Sequence, residues 1–196
     1  MGLRGLRFVI GVVYRQSSFT APRFPPFLTL EQECGCKLDN ILSKEPEIKS
    51  RFWETVPLNQ MTTEQWESLC DGCGKCCLNK LEDWDTGEIH FTNIACTLFD
   101  DKTCRCTNYE QRFETVPDCI KLKPADIASY PWLPSTCAYR RLDEGKDLPH
   151  WHPLLTGSPM SVHEAGMSVR GRTIPEDGMS VEDYEDHLVD WISDDP

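Results

Sequence analysis

The stretch Leu69 to Leu78 reads Leu-Cys-Asp-Gly-Cys-Gly-Lys-Cys-Cys-Leu and puts four thiols within eight positions, at Cys70, Cys73, Cys76 and Cys77. Five more follow at Cys96, Cys104, Cys106, Cys119 and Cys137. Two residues between cysteines let the chain turn back so that both sulfurs face one point, at the bond lengths of about 2.3 Å that zinc requires. Gly72 and Gly74 suit such a knuckle because glycine accepts positive backbone angles. Amides in the loop can also point at thiolate sulfur and spread its charge. The C-x2-C-x2-C spacing matches the opening of the bacterial ferredoxin run as well, where the next ligand comes later. Cys77 directly follows Cys76, and adjacent side chains rarely reach one centre together. Either one of the two packs, or they serve two centres. Burial or disulfide pairing is the plainer account of any one cysteine. Nine between Cys70 and Cys137, clustered in this way, exceed core usage and point to metal.

Composition bounds what this framework can serve. The chain has 196 residues and a formal charge of −12, so non-specific binding to nucleic acid or to an anionic membrane is not expected. Fourteen prolines and six tryptophans predict a loop-rich fold pinned by aromatic anchors and metal. No apolar run reaches the roughly 20 residues of a membrane span. Met1 to Tyr14 resembles a signal peptide in its arginines and short apolar run, but Arg15 interrupts it and no small-residue cleavage site follows. The expectation is a cytoplasmic protein, where thiols stay reduced and clustered cysteines favour metal over disulfides.

Residues 1–26 carry Arg4, Arg7, Arg15 and Arg23 and no acidic residue, so the acidity lies entirely beyond them. Residues 1–44 are expected to be an N-terminal extension, disordered or preceding the natural start. Residues 45–194 form the single cysteine-cluster domain. Cys34 and Cys36 sit apart from the main cluster and are left out of the site.

Phe52 and Trp53 are expected core anchors. Thr62-Thr63-Glu64-Gln65 resembles a capping box, and the helix it opens delivers Cys70 at its end. Ile89 to Ile94 alternates and predicts a strand leading to Cys96. A small hairpin follows, with thiols at its ends. Asn108–Phe113 and Pro124–Ser129 predict short helices. His150-Trp151-His152 is read as part of a strand, more simply a packed or exposed pair than a second metal site. Ser161 to Arg172 is read as β, which would turn His163 and Glu164 to opposite faces. Val181, Tyr184, Leu188 and Trp191 are spaced for a helix. Val169-Arg170-Gly171-Arg172 offers guanidinium forks to an anionic group, against the simpler account of a salt-bridged surface strand.

These residues carry a resemblance. The run 69–77 resembles the signature of the CxxCxxCC family, described as zinc- or iron-chelating. Asp85-Thr86-Gly87-Glu88-Ile89, Val116-Pro117-Asp118-Cys119-Ile120-Lys121-Leu122, Trp151-His152-Pro153-Leu154, Ser168-Val169-Arg170-Gly171-Arg172 and Glu185 to Trp191 resemble the bacterial YcgN family, over about residues 45–194. The resemblance implies a small cytoplasmic bacterial protein with a zinc- or iron-binding cysteine cluster.

The expected fold is therefore a small, loop-rich, metal-stabilised α+β domain. Nine thiols allow two four-thiolate zinc sites with one left over, or one four-iron cluster with extra thiols. Cys70, Cys73, Cys76 and Cys77 would be completed by members of the set Cys96, Cys104, Cys106, Cys119 and Cys137. Zinc would make the domain a module working through a protein partner or a small anionic ligand. An iron–sulfur cluster would make it a redox carrier or cluster-dependent enzyme, so whether it is an enzyme stays open. A pocket lined by His152, His163 and Arg170 beside the metal would count against the purely structural module.

Overall fold

The computed structural model describes residues 6–9 and 51–192. Cys34, Cys36 and the expected boundary between 1–44 and 45–194 lie outside the described residues. The fold is a small, loop-rich α+β domain, as the sequence predicts.

Its centre is an antiparallel hairpin of β2 (Leu78–Asp83) and β3 (Ile89–Ala95), and β1 (Leu6–Val9) pairs with the outer edge of β2. The Asp85–Glu88 turn closes the hairpin. Asp83 accepts the amides of Asp85 and Thr86 at 2.9 and 2.8 Å, and Gly87 takes a positive φ of 72°. The other edge of β3 serves two partners. Its first half pairs antiparallel with β7 (Leu188–Val189), and its second half pairs parallel with β6 (Ile174–Pro175). A separate two-stranded ribbon joins β4 (Phe99–Asp100) to β5 (Arg105–Cys106).

Alternation along β3 buries both faces of the sheet. Phe91 and Ala95 join Leu78, Cys104, Val169 and Ile192, while Ile94 joins Leu81 and Tyr184 on the opposite side. The largest cluster is helical, with Trp53, Leu69, Ile127, Trp132, Leu133 and Tyr139 among its members. It is built from α1 (Phe52–Thr55), α2 (Thr63–Ser68), the 3₁₀ turns of Pro124–Ser129, and α4 (Ala138–Asp143). Among the described residues no helix is long and apolar enough to cross a membrane.

Four local expectations fail for identifiable reasons. The short helix expected at Asn108–Phe113 forms later, as α3 (Arg112–Thr115). His150–His152 is not a strand. His152 is the N-cap of α5 (Pro153–Thr156), with Pro153 pre-set for the first helical position. The segment from Ser161 is not β either. It forms α6 (Ser161–Glu164) and then tight turns in which Gly166 and Gly171 both take φ of 71°, which no strand accommodates. Val181–Trp191 forms 3₁₀ turns over Val181–His187 and then β7, because Leu188 and Val189 are drawn into the sheet beside β3. Val181, placed by its spacing on the apolar face, is 49% exposed.

Candidate metal centre

The knuckle is built by local rules. Thr62 caps α2 by accepting the Gln65 amide at 3.2 Å, and the Gln65 side chain accepts the Thr62 amide at 3.0 Å, closing the expected capping box. The helix ends at Ser68, so Cys70 begins the loop. Asp71 is buried and accepts the Cys73 amide at 2.9 Å, a side-chain mimic of a backbone turn. Gly72 and Gly74 both take φ of 78°. Gly74 then opens a 3₁₀ turn over Lys75–Cys77 that runs directly into β2.

Tertiary contacts hold this loop from three sides. His152 is fully buried, and its Nε2 donates to the Leu69 carbonyl at 3.0 Å. Its tautomer is fixed because the Leu154 amide donates to Nδ1 at 3.1 Å, which leaves the ring proton on Nε2. The Val169 amide donates to the Cys73 carbonyl at 2.9 Å. The buried Lys75 ammonium reaches the Ile192 carbonyl at 3.5 Å. On the helical side, the Tyr139 hydroxyl donates to the Trp66 carbonyl at 2.9 Å, and the two rings meet at a tilt of 50° with centroids 4.6 Å apart. This contact docks α4 on α2, and with it Cys137, the residue before α4.

The downstream thiols arrive through strand pairing. The β2–β3 register places Leu78 opposite Ala95, and the Cys96 amide donates to the Cys77 carbonyl at 3.1 Å. The ribbon places Phe99 opposite Cys106, returning Cys106 towards Cys96. Cys119 lies within the field of the Arg112 guanidinium, which opposes the rise that burial causes in its thiol. Arg112 is itself buried between the rings of Tyr109 and Phe113, 3.8 and 4.4 Å from their centroids.

The electrostatics divide the nine thiols into groups. Cys70, Cys73, Cys76 and Cys77 act on one another, and Cys76 also acts on Cys137. Cys96 and Cys119 both feel Cys106, and Cys119 also feels Cys76. Cys104 stands apart. It is 4% exposed inside the apolar cluster with Leu78, Phe91 and Val169, and the strongest charges acting on it are Asp101, Arg170 and Arg105.

Desolvation dominates the knuckle. Cys70 keeps open surface, yet the protein packed around its sulfur pushes the thiol up to about 12, with Cys76 and Asp71 adding to the effect. Burial likewise raises Cys73 well above its ordinary value. Hydrogen bonding from the Cys77 thiol lowers Cys76 and raises Cys77 in turn, so the two adjacent thiols titrate as a pair.

Behind the knuckle lies a residue that sequence reasoning missed. Lys80, on β2, is 1% exposed, and its ammonium donates to the carbonyls of Leu78 at 2.6 Å and Cys76 at 3.1 Å. It also stands 4.4 Å from the Trp132 ring and 5.2 Å from that of Phe91. Burial lowers it to about 8, and the thiolates of Cys76 and Cys77 pull it back up. A strand with an inward-facing lysine carries no sequence signal unless it is known that the strand faces a thiolate cluster.

Among the described residues, no three histidine, cysteine, aspartate or glutamate side chains converge on one point as ligands. The donor chemistry nevertheless fits a soft metal. Thiols crowd one loop, a buried cation stands behind them, and loop amides turn towards them.

Residues 69–138 match the family model described as "Putative zinc- or iron-chelating domain". UPF0260 proteins of Sinorhizobium fredii and Rhizobium meliloti are 61% and 60% identical to this chain over 140 residues. Each match covers 71% of this chain and 90% of the relative. The Agrobacterium fabrum UPF0260 protein is 57% identical over 140 residues, which is 71% of this chain and 86% of the relative. No solved structure matches the chain.

Proposed function

The chain belongs to the UPF0260 family, and on that premise we propose that it is a metal-binding protein whose principal centre is held by Cys70, Cys73 and one of the adjacent pair Cys76 and Cys77, completed by a downstream thiol such as Cys137, which feels Cys76. The observation that carries this reading is the knuckle itself. One short loop is bent by two left-handed glycines and an aspartate turn, is tied down from three directions, and presents four thiols against a buried ammonium. A purely structural loop has no use for four thiols and a buried lysine together. Cys96, Cys106 and Cys119 form a second group of thiols, and Cys104 serves as an apolar core residue.

Zinc and iron–sulfur occupancy both suit these donors. Zinc would close the centre as a scaffold. Iron–sulfur occupancy is favoured by one observation, the cations next to sulfur. The positive charges of Arg112 and Arg105 act on Cys119 and Cys70, and neighbouring charge is one of the influences that tune cluster potentials. The residues named here would hold either group, and the metal would supply redox inertness or electron transfer accordingly.

Anaerobic purification of the full chain, followed by a visible spectrum and elemental analysis for zinc, iron and sulfide, tests the reading. A brown protein with acid-labile sulfide assigns a cluster, and a colourless one with bound zinc assigns the scaffold. Protein lacking both metals, with its thiols paired, sinks the proposal. Substitutions separate the roles. Cys73→Ser is expected to lower metal content, while Cys104→Ser leaves metal content unchanged and costs about 1–2 kcal/mol in unfolding experiments, because it buries a hydroxyl in an apolar cluster. Because ligation requires thiolates, loading metal-free protein is expected to release protons, measured by pH-stat, and affinity falls as pH is lowered.

Replacing Lys80 tests the role of the buried cation. Lys80→Met keeps much of the buried volume and removes the charge that offsets a thiolate–metal centre. Metal affinity, read by competition with a chromophoric chelator, is expected to fall about 10- to 100-fold, the usual cost of losing a residue that supports metal ligands.

A further inference from the structure

A cleft of about 410 Å³, open to solvent, lies between α6 and the loop after it. Arg170, Arg172, His163, Ser168 and the single carboxylate of Glu164 line it, with Met160 as an apolar wall. His163 and Arg170 thus come together, as weighed from the sequence, but His152 is buried elsewhere on the Leu69 carbonyl.

The two arginines are held out by a rigid loop. The Asp101 carboxylate accepts the Gly171 amide with both oxygens at 3.0 Å and the Thr173 hydroxyl at 2.6 Å. The Val169 amide is fixed on Cys73, and the Arg172 amide donates to the Val169 carbonyl at 3.0 Å. Asp101 is thereby engaged by backbone and hydroxyl groups. Among the described residues, no carboxylate forms an ion pair with Arg170 or Arg172. Arg172 lies over the Trp191 ring at 3.5 Å, which fixes the plane of its guanidinium, and Arg170 rests against the Met160 sulfur at 3.9 Å. Ser168 is buried, and its hydroxyl is 2.7 Å from His163 Nδ1. In the tautomer in which the Ser168 hydroxyl donates to Nδ1, the ring offers Nε2–H as a further donor. Burial, with smaller contributions from Arg170 and Arg105, holds His163 below its ordinary value, so the ring is neutral near pH 7.

We infer that this cleft binds the phosphoryl head of a small phosphorylated molecule. Two guanidinium forks and the imidazole N–H supply the donors that a tetrahedral dianion needs. The cleft volume lies within the range of small-molecule sites, so it has room for an organic body beyond the phosphoryl group, with Met160 as its apolar wall. Arginines carried on a loop tied down by Asp101, each already resting on Met160 or Trp191, lose less freedom on binding than free side chains would. The inference goes beyond the metal reading, because none of these donors is a thiol.

The test follows the His163 ring protons by NMR in the full chain as purified, at constant ionic strength, with His163→Gln assigning the signal. Inorganic phosphate and phenyl phosphate are the probes, with succinate and chloride as competing anion classes. The expected result is a saturable shift with phosphate, with phenyl phosphate binding about tenfold more tightly and chloride giving none. Arg170→Met and Arg172→Met are each expected to weaken binding about tenfold or more. Arg172→Lys, which keeps the charge but loses the fork, should fall between, and circular dichroism should stay unchanged throughout. A shift that chloride reproduces, one that survives in the doubly substituted protein, or no saturation at all overturns the proposal. Preferential binding of succinate overturns the phosphoryl assignment. Metal content is measured on the same samples. Phosphate binding by protein that lacks metal and has its thiols paired would sink the metal reading alone, and metal-loaded protein blind to phosphate would sink this one alone.

Discussion

Gly74→Ala is expected to destabilise the protein by about 2–5 kcal/mol, lowering the thermal midpoint by something of the order of 10 °C. Two independent costs add. At φ of 78°, a side chain pays the left-handed penalty of about 1–2 kcal/mol. A Cβ there would also stand 2.7 Å from Phe99 Cζ and 2.8 Å from Val169 Cγ2. Overpacking of this kind costs about 1–3 kcal/mol, and neither partner retreats easily, because Val169 is fully buried and its amide is bonded to Cys73. The control is Gly87→Ala. Gly87 has a similar φ of 72° but no atom within 4 Å of the added Cβ, so only the backbone cost remains, about 1–2 kcal/mol. Thermal unfolding by circular dichroism compares the two directly. Equal losses would show that the knuckle does not need the close approach of Phe99 and Val169.

His152→Ala is expected to cost about 3–5 kcal/mol, the largest effect of any single histidine. The substitution leaves the Leu69 carbonyl without its partner in a buried site, removes the cap of α5, and opens a cavity the size of the ring. The loss should appear in chemical denaturation, and metal content should drop with it, since Leu69 immediately precedes Cys70. The wild-type protein also predicts its own pH dependence. Burial holds His152 below its ordinary 6.5. The unfolded chain therefore takes up the proton first, so the stability due to this group is complete above about 6.5 and declines as pH falls from there towards the lower folded value. His152→Gln should flatten that part of the stability profile, and an unchanged profile would show that another group is responsible.

The sequence made the knuckle readable because its determinants are local. The Thr62–Gln65 box, the two glycines and the cysteine spacing each act within a few residues, and the structure builds all of them. The β3 strand was readable by alternation. The β2 strand was not, because Leu-Asn-Lys-Leu buries Asn79 and Lys80 as completely as its leucines. The Asn79 amide is satisfied by Glu176, remote in sequence, at 2.7 Å, and the Lys80 ammonium is satisfied by main-chain carbonyls of Cys76 and Leu78 that no side-chain pattern announces. The same cause hid the cationic cleft in part. Arg170 and Arg172 stand out in the sequence, but Asp101, which holds their loop, lies some seventy residues earlier. Val181–Trp191 misled through its spacing, since sheet pairing at Leu188 and Val189 outweighs a helical pattern whose first member is left in solvent. The family resemblance rested on whole motifs, and the match over residues 69–138 bears it out.

The doubly partnered edge of β3 has a kinetic consequence. Its neighbours β6 and β7 come from Ile174–Pro175 and Leu188–Val189, about eighty to one hundred residues further along the chain. Contacts of such high sequence separation form late, because the intervening loop must close before they contribute. During synthesis the β2–β3 hairpin can form early, while the far edge of β3, with Phe91 and Ile94 on it, waits for the last segment to emerge. An open strand edge is a template for pairing with other chains. The arrival of Leu188–Val189 is thus the step that turns an aggregation-prone hairpin into a closed sheet.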